Sequence, residues 1–419
     1  MNNCEGIKVL IVSPTYSGGG AEKIARQLYQ KIPEKGIETF FVAGRYDPNC
    51  PEGIKVIYHS FMGRAITALK GMANNNVLNK AGYGRKSIVE LIEKNHINIV
   101  HFHNIRGNYI GLKDIKYIRR ACPNIIITMH DMWLLTGCCP HGMSCEKWQR
   151  KAEGHLECQF CRGNEALSKG DKRAARYLQW KKEALQRKGI HFVCPSKWLI
   201  NQCERSYLGE NKENIHLIPN GVDISRFRVH DKEIVRKKYD IPQDKRVLIF
   251  SAHNTGSPYK GFKFLVEALR QLQNKEEYFL LILGKMNADK EIFNEMPFSV
   301  KEMGYVSDEE KMSELYSAAD LFLLPSLADT FPLVMLEAMA SGTPVLASET
   351  GGIPEAVTAD VGWIVPAGNS VQMHQKIEEI FNFPEELCKK SSYCREHVEK
   401  LYSEEIMIAH YRELYSGCF

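Results

Sequence analysis

No stretch of this sequence approaches the roughly eighteen consecutive apolar residues that a membrane-spanning helix requires. Its opening, MNNCEGIKVLIVSPTY, holds one short apolar run without a basic leader. That is too little for a secretory signal and enough for a first β-strand. A cytoplasmic protein is expected, at most peripheral on the inner face of a membrane. Charge of one sign is also lacking. The 55 Lys and Arg stand against 50 Asp and Glu, and a net +5 does not call for nucleic acid. The dinucleotide fingerprint G-x-G-x-x-G is absent, as is a P-loop, and no organic cofactor is expected.

What is present is length and alternation. With 419 residues, 44% hydrophobic and 25% charged, the chain can build two soluble domains with cores of ordinary size. Strands are expected at 8–12, 39–42, 97–102, 125–129, 191–194 and 216–218. After Asn220-Gly221 the pattern restarts, at 246–250, 279–283, 321–324 and 344–347. Nearly all-apolar strands alternating with helices imply parallel sheets covered on both faces, here two doubly wound, Rossmann-like α/β domains. Such sheets bind ligands at the carboxyl ends of their strands, which places a site in a cleft between the two domains.

The most informative stretch is 325–357, PSLADTFPLVMLEAMASGTPVLASETGGIPEAV. It reads as strand end, loop, short helix, strand and a Gly-Gly turn. Asp329 and Thr330 offer capping oxygens, Pro332 suits a first turn, and Gly342 stops a helix over 333–341. The helix start at Phe331-Pro332-Leu333, with backbone N–H donors at Phe331 and Leu333, suits a phosphate. Glu337 lies deeper, where a carboxylate can accept two hydrogen bonds from a ribose diol, and Asp329 sits at the mouth. Read alone, the segment fits an ordinary amphipathic helix between buried strands equally well. Elsewhere, Ser17-Gly18-Gly19-Gly20 joins the first strand to the first helix and can aim N–H groups at a phosphate or sugar oxygen. His130-Asp131 ends an apolar strand. His101 and His103 end another, where a satisfied core histidine is the alternative. Lys260-Gly261 opens a helix after the first strand of the second block, where a lysine can neutralise phosphate charge.

The long segment resembles the nucleotide-sugar-binding signature of retaining glycosyltransferases of family 4, which have the GT-B fold. Those proteins usually show Glu-x7-Glu followed by Ala-Met-Ala-x-Gly-x-Pro-Val. Here Asp329 takes the first acidic position, and Glu337, followed by AMASGTPV, takes the second. SGGGAEKIA, VHFHN, ITMHD, CPSKWL, IPNGVD, YKGF and GYVSDEEKMSELYSAADLFLLPS extend the resemblance over nearly the full chain. It implies an acceptor-side domain at 1–221, a nucleotide-sugar domain at 222–398, and a last helix, 399–419, returning to the first domain. It implies a UDP- or GDP-linked sugar as donor and a glycan or lipid-linked oligosaccharide as acceptor. Glu337 would hold the ribose and Lys260 the diphosphate. The Gly18–Gly20 loop, His130 and Asp329 would hold the sugar, and Gly304 and Tyr305 would meet the base. The family commonly carries Arg six residues before Lys260. Here Asn254 stands there, leaving His253 and Lys260 as the nearest cationic candidates. No Asp-x-Asp pair lies in a suitable loop, so metal-independent transfer is expected.

Two further features bear on partners and metals. Residues 169–188, KGDKRAARYLQWKKEALQRK, form a basic helix with Tyr177, Leu178, Trp180 and Leu185 interleaved. It either meets anionic lipid headgroups or solvates one face and lays its apolar stripe on the core. A second basic set, Arg64, Lys70, Lys80, Arg85 and Lys86, flanks a Gly- and Asn-rich stretch. Among 13 cysteines, Cys139, Cys145, Cys158 and Cys161 form C-x5-C-x12-C-x2-C in an insertion at 137–163, with Cys138 and His141 nearby. Four such ligands can close a structural zinc shell, and free thiols or a disulfide are the alternative. A subset of bacterial polysaccharide glycosyltransferases is similar here. The resulting reading is a retaining, nucleotide-sugar-dependent glycosyltransferase of capsule or exopolysaccharide assembly. Its rivals are a zinc-stabilised glycan-binding or scaffold subunit without catalysis, and a GT-B-fold nucleotide-sugar epimerase. The epimerase is disfavoured because such proteins lack the LEAMASGTPV string.

Overall fold

The structure, a computed structural model, describes residues 6–33, 36–58, 82–106, 109–143, 145–149, 158, 173–285 and 298–418. The chain divides into two units, Met1–Pro219 with Ile408–Phe419, and Asn220–Met407. Arg64, Lys70 and Lys80 lie outside the described residues, as do Cys161 and most of the insertion around it.

The first unit is built on a parallel sheet of β1 (Lys8–Ser13), β2 (Glu38–Arg45), β3 (Lys55–Tyr58), β4 (Ile99–His103), β5 (Asn124–Thr128), β6 (Ile190–Cys194) and β7 (Ile215–Leu217). Their order is β3-β2-β1-β4-β5-β6-β7. The connecting helices are α1 (Gly20–Lys31), α2 (Gly82–Asn95), α3 (Leu112–Ala121), α4 (Arg173–Leu185) and α5 (Lys197–Arg205). The second unit pairs β8 (Arg246–Asn254), β9 (Tyr278–Lys285), β10 (Ser299–Gly304), β11 (Leu321–Leu324), β12 (Val345–Glu349) and β13 (Gly362–Pro366) in the order β10-β9-β8-β11-β12-β13, again parallel. Its helices are α6 (Lys232–Lys238), α7 (Phe262–Leu269), α8 (Glu309–Ala318), α9 (Leu333–Ala340), α10 (Ile353–Ala356), α11 (Ser370–Asn382) and α12 (Pro384–Leu401). The last helix, α13 (Glu404–Gly417), carries the chain from the second unit into the first.

The central strands are apolar because both sheet faces are covered. Leu10, Val12, Phe102 and Ile127 sit in one core and Leu248, Phe250, Leu280 and Leu346 in the other, all essentially without exposure. Each such side chain contributes about 1.5–3 kcal/mol on burial. Three strands outside the expected set, β3, β10 and β13, all lie at sheet edges. Polar residues in SVKEMG and the Gly and Pro of GWIVP are tolerated there because one side of the ladder faces no neighbour. Strand order reverses at β1/β4 in the first sheet and at β8/β11 in the second. These switch points open the crevices in which ligands of doubly wound sheets bind. Among the described residues, no helix is long and apolar enough to cross a membrane.

Candidate active site

In the second unit, the loops after β8 and β11 meet at the switch point. Lys260 Nζ contacts Asp329 Oδ2 at 2.6 Å, joining two residues 69 positions apart. Gly261 has φ 67°, and a Cβ there would lie 1.8 Å from the Pro325 carbonyl, so only glycine lets the lysine loop lie against the β11 loop. Asp329 and Thr330 do not cap α9, contrary to the sequence reading. Its N-cap is Pro332, without a side-chain bond, because Asp329 is committed to Lys260. The loop is instead held by the Gly-Gly turn after β12. Gly351, with φ 57°, backs onto the Asp329 carbonyl, and the Gly352 N–H donates to the Thr330 carbonyl at 2.9 Å. Phe331 and Leu333 turn their side chains into the core, so their backbone is what they can offer a ligand. Gly342, with φ 82°, ends the helix as expected.

Glu337 is only 4% exposed on α9. The phenol of buried Tyr316 stands beside Glu337 and Ser251, and burial together with the Glu337 charge pushes it well above its ordinary range. A carboxylate on that buried turn is pre-positioned for hydroxyl donors. At the ends of β8 and β10, the His253 and Tyr305 rings meet edge-on with centroids 5.2 Å apart. Gly304 has φ 67°, and the Tyr305 ring, 47% exposed, is open to stack on a planar group. Burial, with the Lys285 charge, lowers the His253 pKa and keeps that ring neutral. Asn254 Oδ1 accepts the Gly256 N–H at 2.9 Å, a local turn that occupies the carbonyl of its amide.

In the first unit, the Gly18–Gly20 loop follows β1. Ser17 donates from its N–H and Oγ to Asp47 Oδ2, at 2.5 and 2.6 Å. Half-buried Glu22 folds back on the N–H groups of Gly19 and its own residue, and Asn104 bonds the same carboxyl, which desolvation pushes up. Part of the donor set at this helix start is therefore already occupied.

His103 and His130 come together at adjacent strand ends, with Nδ1 and Nε2 3.1 Å apart and the rings stacked. His101 is the satisfied core histidine. Its Nδ1 bonds the Tyr415 hydroxyl at 2.7 Å and its Nε2 the Thr128 hydroxyl at 2.8 Å. Burial drives the His101 pKa down to about 3 and that of His130 to about 4, so both are neutral near pH 7. Asp131 Oδ1 accepts the Trp133 N–H at 2.8 Å.

Glu22, Asp47 and Asn104 were not singled out from sequence, and no local pattern carries a signal for them, whereas HFH and MHD on neighbouring strands mark His103 as a strand-end candidate. Beyond this cluster, buried Lys181 of α4 reaches the carbonyls of Trp133, Thr136 and Gly137 at 2.5, 2.8 and 3.1 Å. Cys139, Cys145 and Cys158 line one cavity with Thr136, Lys147 and Trp148. Among the described residues no three Cys, His, Asp or Glu side chains are grouped to hold a metal.

Chemically, the second-unit cluster offers a cation, an acid, helix N–H groups and an exposed ring, a combination suited to a nucleotide. Residues 18–226 match the family described as Glycosyltransferase Family 4, and residues 231–398 match Glycosyl transferases group 1. Escherichia coli K12 WcaC, named as a colanic acid biosynthesis glycosyl transferase, is 25% identical over 85% of this chain and 87% of its own. A GDP-mannose-dependent phosphatidylinositol monomannoside mannosyltransferase of Corynebacterium glutamicum is 29% identical over 48% of this chain and 56% of its own. Among solved structures, sucrose-phosphate synthase of Thermosynechococcus elongatus superposes with a TM-score of 0.73 at 18% identity, covering 98% of each chain. Anabaena HepE with UDP-glucose gives 0.68 at 16% identity, over 98% of this chain and 100% of that one. With both halves matched in order and this fold, the chain belongs to the GT-B glycosyltransferases.

Proposed function

We propose that the protein is a family 4 glycosyltransferase that moves a sugar, with retention, from a nucleotide-diphosphate sugar to a glycan or lipid-linked acceptor in polysaccharide assembly. The observation that carries this reading is the joining of Lys260, Asp329 and the start of α9 at the β8/β11 switch point, with Glu337 buried behind them. Glu337 holds the ribose diol and Lys260 neutralises the leaving diphosphate. Backbone N–H groups at the α9 start, with no acid in the first turn and no side-chain cap, add partial positive charge. Departure of the diphosphate leaves an oxocarbenium-like carbon, and the acceptor hydroxyl adds from the same face while a phosphate oxygen takes its proton. Transition states of this kind resemble those of glycoside hydrolysis. Lysine and helix dipole together supply the charge that a divalent ion would otherwise supply. WcaC's name and HepE's UDP-glucose complex support the donor class and the polysaccharide setting.

Incubation with a panel of UDP- and GDP-sugars tests the reading, with slow donor hydrolysis expected for one of them. Glu337→Ala should cut nucleotide affinity about tenfold or more, the worth of two lost hydrogen bonds, without unfolding the protein. Unchanged affinity in calorimetry removes Glu337 from the site. Zinc on Cys139, Cys145, Cys158 and Cys161 belongs to the same proposal and rests on their spacing in the sequence; among the described residues, three of them line one cavity without being grouped to hold a metal. About one equivalent by elemental analysis is expected, and none would remove it.

A further inference from the structure

The nucleotide reading leaves a charge question at β8. The end of β8 itself supplies no charge: the Asn254 amide carbonyl is turned onto Gly256, and His253 is kept neutral. A single lysine, Lys260, would then face a diphosphate that bears at least two negative charges.

The neighbouring strand offers the second cation. In the parallel β8–β9 ladder Asn254 stands opposite Lys285, after an irregularity between Ser251 and Asn254. The Thr255 N–H and hydroxyl both bond the Lys285 carbonyl, at 3.2 and 3.3 Å. The backbone of Lys285 is therefore tied to the loop that continues to Lys260. Gly284 makes this approach feasible: its φ is 135°, and a Cβ there would fall 1.7 Å from the Ala252 carbonyl oxygen. The Lys285 side chain is exposed, with Nζ 5.4 Å from the Tyr305 ring centroid. Among the described residues no carboxylate pairs with it, whereas Lys260 is already matched by Asp329.

We propose that Lys285 is the second phosphate-binding cation of the donor site, taking from β9 the role that Asn254 leaves open on β8. The proposal rests on the nucleotide-sugar reading above. Bound nucleotide would draw the ammonium from the Tyr305 face onto a phosphate oxygen while the ring stays with the base. A lysine at a strand end can swing between the two positions because its stem has four rotatable bonds, and a point charge needs no fixed fork geometry.

Calorimetry on the full chain, with the diphosphates and monophosphates of uridine and guanosine, tests this directly. For the diphosphate that binds, Lys285→Met should weaken affinity about tenfold, and Lys285→Arg should recover most of it. Monophosphate affinity should fall by a smaller factor, and the diphosphate loss should shrink as salt rises. Equal losses for the two nucleotides would overturn the proposal, because the lysine would then act on base or ribose. An unchanged diphosphate affinity in Lys285→Met would overturn it as well. Absence of any diphosphate binding by the wild-type chain would instead overturn the donor reading itself. Lys285→Met with normal thermal unfolding keeps these outcomes free of folding effects.

Discussion

Lys260 and Asp329 show how much a single side chain depends on its partner. Their 2.6 Å contact is partly exposed, with side chains 31% and 15% accessible, so it adds little to stability. Its value lies in holding a cation at the switch point before the diphosphate arrives. Lys260→Ala should therefore leave thermal unfolding nearly unchanged while lowering turnover about 10²–10³-fold, the usual loss of one preorganised charge. Binding of the nucleoside monophosphate should change within about threefold, because the charge that grows on bond cleavage lies on the diphosphate. Equal losses in both measurements would make this lysine a structural residue. Glu337 was legible in the sequence because the AMASGTPV string fixes its place on a short helix. The Lys260–Asp329 contact was not, since no local pattern links residues 69 apart. The same distance in sequence misled the capping assignment. Asp329 has the right chemistry for an N-cap, but a lysine in the loop after β8 outcompetes the helix for it.

At the scale of elements, α4 divides between what charge patterning shows and what only packing shows. The basic face was visible in the sequence. That Lys181 faces inward was not, because lysines are almost never fully buried. Its ammonium takes three carbonyls and lies 3.7 Å from the centre of the Trp133 ring. Burial pulls its pKa down to about 7, while nearby Asp131 and the cysteine thiols pull it upward. Trp133, Thr136 and Gly137 follow His130-Asp131 in the chain, so α4 pins the loop that leaves the histidine cluster. Lys181→Met strips three acceptors of their donor and should cost about 3 kcal/mol in urea unfolding. Lys182→Met, one position along and partly exposed, should cost within about 0.5 kcal/mol. Equal small effects from both variants would mean that water replaces the ammonium. The sheets divide in the same manner. Central strands were legible as apolar runs, while β3, β10 and β13 were missed because edge strands keep polar residues on their open side.

At the scale of the molecule, the two doubly wound sheets followed from the alternation of apolar runs. The closure of the first unit depends on the far end of the chain. Tyr411 and Tyr415 of α13 reach Thr128 at 2.8 Å and His101 at 2.7 Å. These bonds complete a buried cluster in which His101, His103 and His130 all lie near one another. Burial lowers all three pKa values from the ordinary 6.5, to about 3 for His101, to about 4 for His130 and well down for His103. A histidine lowered in the fold is protonated first in the unfolded chain. Its contribution is complete above pH 6.5 and is lost as pH falls toward the folded value. At pH 5 each such histidine should cost about 2 kcal/mol relative to pH 7. Glu22 and Asp131 work in the opposite sense. Burial raises their carboxyl pKa values, and the stability they lend is lost as pH rises through those values. The total slope thus mixes both signs, and a variant isolates the histidine part. Denaturant unfolding of the full chain and of His103→Phe should give a difference in stability that narrows, or reverses, between pH 7 and pH 5, because phenylalanine has no proton to gain. A constant difference across that range would mean that His103 titrates alike in the folded and unfolded chain, and the buried-neutral account of the cluster would fail.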